Sequence, residues 1–307
     1  MRFFLFPICA ICLCLSVVKA DVQQSFSLSE LVTLSTVRIE VVLANGMAAS
    51  GTGFFYNFLQ DKDGRGILAI VTNKHVIRGA VRGEIHLNRA DANGNYVLGS
   101  FESVLIEDCE KKWVPHPADD VDLAILLIGP FLNEQQKDGK RFCYMALNDG
   151  LIPTDADKQE LTAIEDITMV GYPDGIWDDK NNRPIVRRGI TATQLTLDYR
   201  GKPEFLIDAA CFPGSSGSPV YLLNQGSYAT RSGTINMGTR FKFVGVLSSG
   251  PQHLAVGEIQ SVPMANRTIS VSMIPNNLGI VIKSERLREF EPLLKALVDK
   301  EAQNKTP

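Results

Sequence analysis

Along most of the chain the apolar positions fall in short runs rich in β-branched and aromatic residues, broken by Gly, Asn and Asp, a pattern that predicts strands. Residues 36–42, 66–72, 123–128, 167–171 and 241–247 carry it most clearly. Between them lie turn signals such as Asp61-Lys62-Asp63-Gly64 and Asp91-Ala92-Asn93-Gly94-Asn95. Both resemble the head of a calcium loop, but neither has the downstream bidentate Glu at the required spacing, so they read as hairpin turns. Residues 130–165 are polar and poor in strand signals, which predicts a connection between two β-rich halves. Helical spacing appears only near the end, where Leu287, Phe290, Leu293, Leu294 and Leu297 recur at intervals of three and four. Ser284 is placed to cap that helix, and Pro292 should split or kink it. No repeat is visible.

The first twenty residues follow another pattern. Met1-Arg2 precedes an unbroken apolar run, Phe3 to Val18, and Val18-Lys19-Ala20 puts small residues where a signal peptidase reads them. This predicts an export signal over 1–20, cleaved after Ala20, and a secreted or periplasmic mature protein with no membrane association. The run is too short for an ordinary bilayer span. Cys9, Cys12 and Cys14 lie inside it and leave with it, which removes both a Cys-x-x-Cys metal motif and most of a disulfide framework. Of the six cysteines, Cys109, Cys143 and Cys211 remain. They allow one disulfide, expected between Cys109 and Cys143, or three small buried hydrophobes. Asn266-Arg267-Thr268 and Asn304-Lys305-Thr306 are glycosylation sequons, meaningful only in a eukaryotic host.

The whole chain of 307 residues is 45% hydrophobic and 21% charged, an ordinary globular composition. Its formal charge is −3, and no window is dense in basic residues with interleaved aromatics, so a nucleic-acid partner is not expected.

Candidate chemistry centres on three segments. A serine nucleophile needs an imidazole to take its proton, a carboxylate to fix the imidazole tautomer, and backbone N–H groups facing the developing oxyanion. Ser216, in Cys211-Phe212-Pro213-Gly214-Ser215-Ser216-Gly217-Ser218-Pro219, is the nucleophile candidate. Gly214 lets the backbone turn so that its own N–H and that of Ser216 can face one pocket. His75 ends an apolar strand, and Asp122 opens the next one; Asp119 and Asp120 read as solvated loop acids, either of which could substitute. His86, His116 and His253 lack such context and are expected at the surface. No metal site and no cofactor is expected. A phosphate-cradling loop at 214–217 is disfavoured because no Gly-Lys-Ser/Thr follows.

The order His75, Asp122, Ser216, with Gly51-Thr52-Gly53-Phe54-Phe55 ahead of Thr72-Asn73-Lys74-His75-Val76, Asp122-Leu123-Ala124, and Gly214-Ser215-Ser216-Gly217-Ser218-Pro219, resembles the chymotrypsin-like (trypsin-like) serine peptidases. The likeness is greatest to the bacterial branch that includes the high-temperature-requirement proteases, in which Asp208-Ala209-Ala210 and the stretch from Asn277 to Ile282 also have counterparts. The resemblance implies an all-β fold of two six-stranded antiparallel β-barrels, over 21–135 with His75 and Asp122 and over 136–283 with the connection and Ser216, and a C-terminal helix and tail over 284–307. The site would lie between the barrels.

Two departures follow from the comparison with that family. Ser215 stands where zymogen-type members carry an Asp that pairs with a freed N-terminal amine, so the oxyanion loop must be ordered by other contacts or by substrate. Ser218 replaces the second Gly of the usual Ser-Gly-Gly. By the family's spacing Ala210 lies at the base of the primary pocket, and Ser248-Ser249-Gly250 forms the strand that pairs with substrate. With no acid at the pocket base, the expectation is an endopeptidase cleaving protein or peptide substrates after small or medium apolar residues. The rival is a catalytically silent protein of the same fold that binds a partner.

Overall fold

In the first half, residues of alternating character pair edge to edge. The computed structural model describes residues 26–250, 252–259, 268–275 and 277–304; the expected export segment lies outside them, and both sequons extend beyond them. In β1 (Thr36–Leu43), Val37, Ile39 and Val41 are buried while Arg38 and Glu40 on the other face are partly exposed. β2 (Ala48–Phe58), β3 (Ile67–Thr72), β4 (Ala80–Ala90), β5 (Tyr96–Glu107), β6 (Val114–Pro115) and β7 (Ala124–Leu127) follow. With the two-residue strands β8 (Arg141–Phe142) and β9 (Leu147–Asn148) they form a nine-stranded sheet. Its order is β5-β4-β1-β2-β3-β7-β6, with β8 on β4 and β9 parallel to β2.

The second half holds β10 (Asp166–Gly171), β11 (Ile185–Thr191), β12 (Glu204–Asp208), β13 (Pro219–Asn224), the hairpin β14 (Ser227–Ala229) and β15 (Ile235–Met237), β16 (Arg240–Ser249), the hairpin β17 (Gln252–Ile259) and β18 (Thr268–Pro275), and β19 (Leu278–Lys283). Six of these close a barrel in the order β10-β11-β12-β19-β16-β13.

Two six-stranded barrels were expected, and closure is seen in the second half alone. In the first half, Asp108 turns into the left-handed region at φ 50° and the one-turn helix Cys109–Lys112 separates β5 from β6. β6 is then only two residues long and includes Pro115, which has no N–H to donate. The ladder stops, and β5 and β6 remain the two ends of an open sheet. The segment between the halves is also more structured than its polarity suggests: it carries the helix Gly129–Lys137, β8, β9 and the helix Asp155–Glu160.

Both acidic turn segments are hairpin turns. Asp61 Oδ1 accepts from the N–H groups of Asp63 and Arg65, and Asp91 Oδ1 does the same for Asn93 and Asn95. At the C-terminus, Ser284–Phe290 is a 3₁₀ turn and the α-helix begins at Glu291. Pro292 sits in the first helical turn, where a missing N–H costs nothing. Ser284 is not the cap expected of it: it is buried inside the 3₁₀ turn, and its hydroxyl has no partner among the described residues.

Leu287, Phe290 and Leu294 from this C-terminal segment join Phe54, Tyr56, Phe58 and Leu123 of the first half and Tyr221, Phe243 and Ile282 of the second in one buried cluster. The two halves therefore share a core.

Two further expectations fail. Cys109, Cys143 and Cys211 are free thiols. Cys109 is buried against Gly83 in the core of the first half, while the backbone of Cys143 is tied by its N–H to Asn88 O. His86 and His116 are buried rather than exposed. His116 Nδ1 accepts from Ala118 N–H, so its Nε2–H donates to Arg286 O at 3.0 Å, and burial holds its pKa below the usual range. His86 lies between Glu40 Oε2 and Ser103 Oγ, each 3.0 Å away.

Candidate active site

β3 ends at Thr72, and the one-turn helix Lys74–Ile77 starts there, projecting His75 to the surface. The 118–122 loop is clamped onto this turn from both sides. Asn73 Nδ2 donates to Asp122 O at 2.7 Å, and Lys74 Nζ donates to Ala118 O at 2.9 Å. These bonds present the Asp122 carboxylate to His75. Oδ1 accepts the His75 backbone N–H at 3.0 Å, and Oδ2 lies 2.5 Å from His75 Nδ1. Burial alone would raise the Asp122 pKa, but the hydrogen bonds and charge of His75, with the Ser248 hydroxyl, outweigh it and hold the carboxyl below its usual range. An acceptor on Nδ1 puts that ring proton on Nδ1 and leaves Nε2 free as a base.

Ser248 connects this pair to the second half. Its Oγ donates to Asp122 Oδ2 at 3.1 Å, and its carbonyl accepts from Ser216 Oγ at 3.1 Å. His75, Asp122, Ser248 and Ser216 therefore meet at one cleft. In this structure the Ser216 hydroxyl is turned to Ser248 O rather than to His75 Nε2.

The turn before Ser216 is built from three constraints. Gly214 (φ +82°) and Gly217 (φ +87°) both lie in the left-handed region, which a side chain rarely adopts. A Cβ on Gly214 would stand 2.5 Å from Tyr172 O, so only glycine lets this turn lie against the 172–175 loop. From that loop, Asp174 N–H donates to Pro213 O at 2.6 Å. In a trans peptide C=O and N–H point opposite ways, so the Gly214 N–H faces away from the loop. Neither it nor the Ser216 N–H has an acceptor among the described residues. Two N–H groups left free beside a serine hydroxyl can receive a developing negative oxygen.

Sequence reading missed the residue that joins the halves here, Thr52. Gly51 packs against Val76 of the His75 turn and Gly53 against Ile70 and Ile39, leaving no space for a side chain at either. Thr52 between them faces the other half. Its Oγ1 donates to Gly214 O at 2.9 Å and accepts the Tyr172 N–H at 3.0 Å, while its N–H donates to Ser216 O at 2.9 Å. The Gly-Thr-Gly spacing was the available signal. The Tyr172–Gly175 loop left none.

The predicted pocket residues come together in part. Gly250 lies against Cys211, with Cβ-to-Cβ room for ordinary contact only, so the 210–211 segment and the 248–250 strand are neighbours. Ser249 is exposed, while Ala210, Ser248 and Gly250 are half-buried. Ser218 is buried beside the Ser216 turn, and its hydroxyl has no partner among the described residues. Among the described residues no three His, Cys, Asp or Glu side chains gather as a metal site.

Residues 51–228 match the trypsin-like peptidase domain. No curated protein sequence matches the chain. Among solved structures, the serine endoprotease from Yersinia pestis is 15% identical with a TM-score of 0.42, over 87% of this chain and 64% of its own. The Tobacco Etch Virus protease is 13% identical with a TM-score of 0.44, over 88% and 82%. A protease from M. tuberculosis in its active form is 14% identical with a TM-score of 0.39, over 83% and 78%.

Proposed function

Since this chain belongs to the trypsin-like peptidases, serine endopeptidases that hydrolyse peptide bonds, we propose that Ser216, His75 and Asp122 are its catalytic triad. Ser216 Oγ attacks the scissile carbonyl as its proton passes to His75 Nε2. The carbonyl oxygen takes up the negative charge and is held by the N–H groups of Gly214 and Ser216. The tetrahedral intermediate collapses as His75 returns the proton to the leaving amine, and water then releases the acyl group by the same steps in reverse order. Asp122 holds the imidazole proton on Nδ1 throughout. The observation that carries this reading is that Ser248 bonds both to the Asp122 carboxylate that holds His75 and to Ser216, next to two N–H groups without acceptors among the described residues.

On this reading residues 248–250 pair with the substrate strand. A substrate N–H arriving at Ser248 O competes with the Ser216 hydroxyl for that acceptor and releases it toward His75. The primary pocket takes small or medium apolar side chains: Ala210 brings no acid, and the guanidinium of Arg187, which donates to Ala210 O, repels a basic one. The enzyme acts outside the cytoplasm, secreted or periplasmic, after removal of residues 1–20; the support is the N-terminal apolar run and its small-residue end.

The test is a fluorophosphonate probe on purified mature protein, followed by intact mass. One adduct on the wild type and none on Ser216→Ala is the expected result. A folded wild type that takes no adduct would overturn the assignment and leave a binding protein.

A further inference from the structure

On β11 the side chains alternate. Val186, Arg188 and Ile190 are exposed, while Ile185, Arg187, Gly189 and Thr191 occupy the less exposed register. An arginine at that register of a closed barrel is unexpected, because a half-buried cation loses hydration and needs compensating partners. Among the described residues Arg187 has no carboxylate within ion-pairing distance. Its hydrogen-bond and ring partners are in the segment ahead of Ser216, and the Asp174 carboxylate of the 172–175 loop adds charge attraction at longer range. Nη1 donates to Ala210 O and, at 3.3 Å, to Ser215 Oγ, and the guanidinium lies 5.1 Å from the Phe212 ring centroid. Ser215 itself is buried.

The other side of this segment is held by Thr52 and Asp174 at Gly214 O and Pro213 O. Without Arg187, the one hydrogen bond left to residues 210–212 among the described residues would be the turn bond from Ser215 N–H to Phe212 O at 3.1 Å, beside the packing of Cys211 in the barrel core. We propose that Arg187 is the positioning residue of the oxyanion loop: by gripping Ala210 O, Phe212 and Ser215 it keeps the N–H groups of Gly214 and Ser216 aimed at the cleft. The inference rests on the reading of Ser216 as nucleophile given above. It answers how a loop with serine rather than a carboxylate at 215 is ordered, with the fixed charge on the barrel strand instead of on the loop.

The test is the second-order rate of fluorophosphonate labelling, which requires the oxyanion site but no particular side chain in the primary pocket. Arg187→Met keeps the aliphatic stem and removes the donors; its labelling should fall about 10²-fold, the low end of the 10²–10³ attached to a lost oxyanion donor. Arg187→Lys, able to reach only one acceptor at a time, should fall less than about tenfold. In Arg187→Ala, millimolar methylguanidinium should restore labelling saturably, which a general loss of packing would not allow. If Arg187→Met does not fold, Arg187→Lys decides: slowed labelling at an unchanged melting temperature supports the inference. Wild-type labelling rates in Arg187→Met or Arg187→Lys overturn it, as does a slowed Arg187→Ala that methylguanidinium leaves slow. A wild type that does not label overturns the nucleophile assignment itself, and this inference with it.

Discussion

Replacing Asp122 by Asn probes the chain of hydrogen bonds on which catalysis is proposed to depend. The carboxylate accepts three bonds: the His75 backbone N–H on Oδ1, and His75 Nδ1–H and Ser248 Oγ–H on Oδ2. Asparagine has one acceptor oxygen and one amide that only donates. If the oxygen stays with the backbone N–H, the amide faces Nδ1 and must donate to it. The ring proton then moves to Nε2, and the imidazole meets Ser216 with an N–H instead of a lone pair. If the oxygen turns to Nδ1, the amide opposes the His75 backbone N–H, and leaving a half-buried donor unsatisfied costs about 1–3 kcal/mol. The first arrangement satisfies more groups, so the base is lost.

The same carboxylate-to-amide change in a serine triad costs about 10⁴ in kcat, or about 5 kcal/mol of transition-state stabilisation. The assay is labelling rate together with turnover of a peptide substrate, with circular dichroism to show an unchanged fold. Retention of a tenth or more of wild-type turnover would refute the tautomer reasoning. The variant should also change acid stability. The folded carboxyl has a pKa below its unfolded value, so it contributes stability that is full above about pH 3.9 and is lost as the pH falls through the folded value. Asp122→Asn lacks this contribution, and its melting temperature should fall less steeply than that of the wild type as the pH is lowered through this range.

Gly214→Ala puts a Cβ 2.5 Å from Tyr172 O at a φ of +82°; the turn must shift, and labelling should fall about 10²-fold while the fold persists by circular dichroism. Thr52→Val removes the bond to Gly214 O and strands the buried Tyr172 N–H, so chemical denaturation should show a loss of about 1–3 kcal/mol along with slower labelling. Burial pushes the thiols of Cys109 and Cys211 up to about 11, so both should resist Ellman's reagent in the native protein at neutral pH. The mature protein denatured without reductant should titrate all three of Cys109, Cys143 and Cys211; a single reactive thiol would reinstate a disulfide.

The triad candidates were legible because catalysis requires rare residue types at strand ends, and His75, Asp122 and Ser216 each follow or precede an apolar run. The strand at 36–42 was legible by period-two burial, and those at 66–72 and 241–247 as short continuous apolar runs buried on both faces. What escaped depends on contacts between segments distant in sequence. Nothing local at Asp108 or Cys109 announces that β5 and β6 are cut apart there, and the failure of the first barrel to close follows from that cut. His86 and His116 read as surface residues because their partners, Glu40 and Ser103 for one and Arg286 for the other, lie in other elements. Arg187 would have stood out only once β11 was assigned, since its parity with Ile185 and Thr191, not its identity, marks it as turned inward.

The candidate site lies where the two halves touch. Thr52, on a strand of the first sheet, bonds to the turn that carries Ser216 through its N–H and its hydroxyl. Ser248, on a strand of the barrel, bonds back to the Asp122 carboxylate. Sliding one half over the other would break both links. Behind them Ser35 Oγ and Tyr221 OH meet at 2.8 Å, and Phe54 packs against Phe243 with ring centroids 5.3 Å apart, tying the same two halves through buried groups. The C-terminal segment adds Phe290 beside Phe58 and His116. A shared core of this kind makes relative motion of the halves costly. The movement left to the proposed catalytic cycle is therefore local: the rotation of Ser216 from Ser248 O toward His75, driven by the substrate strand that takes its acceptor.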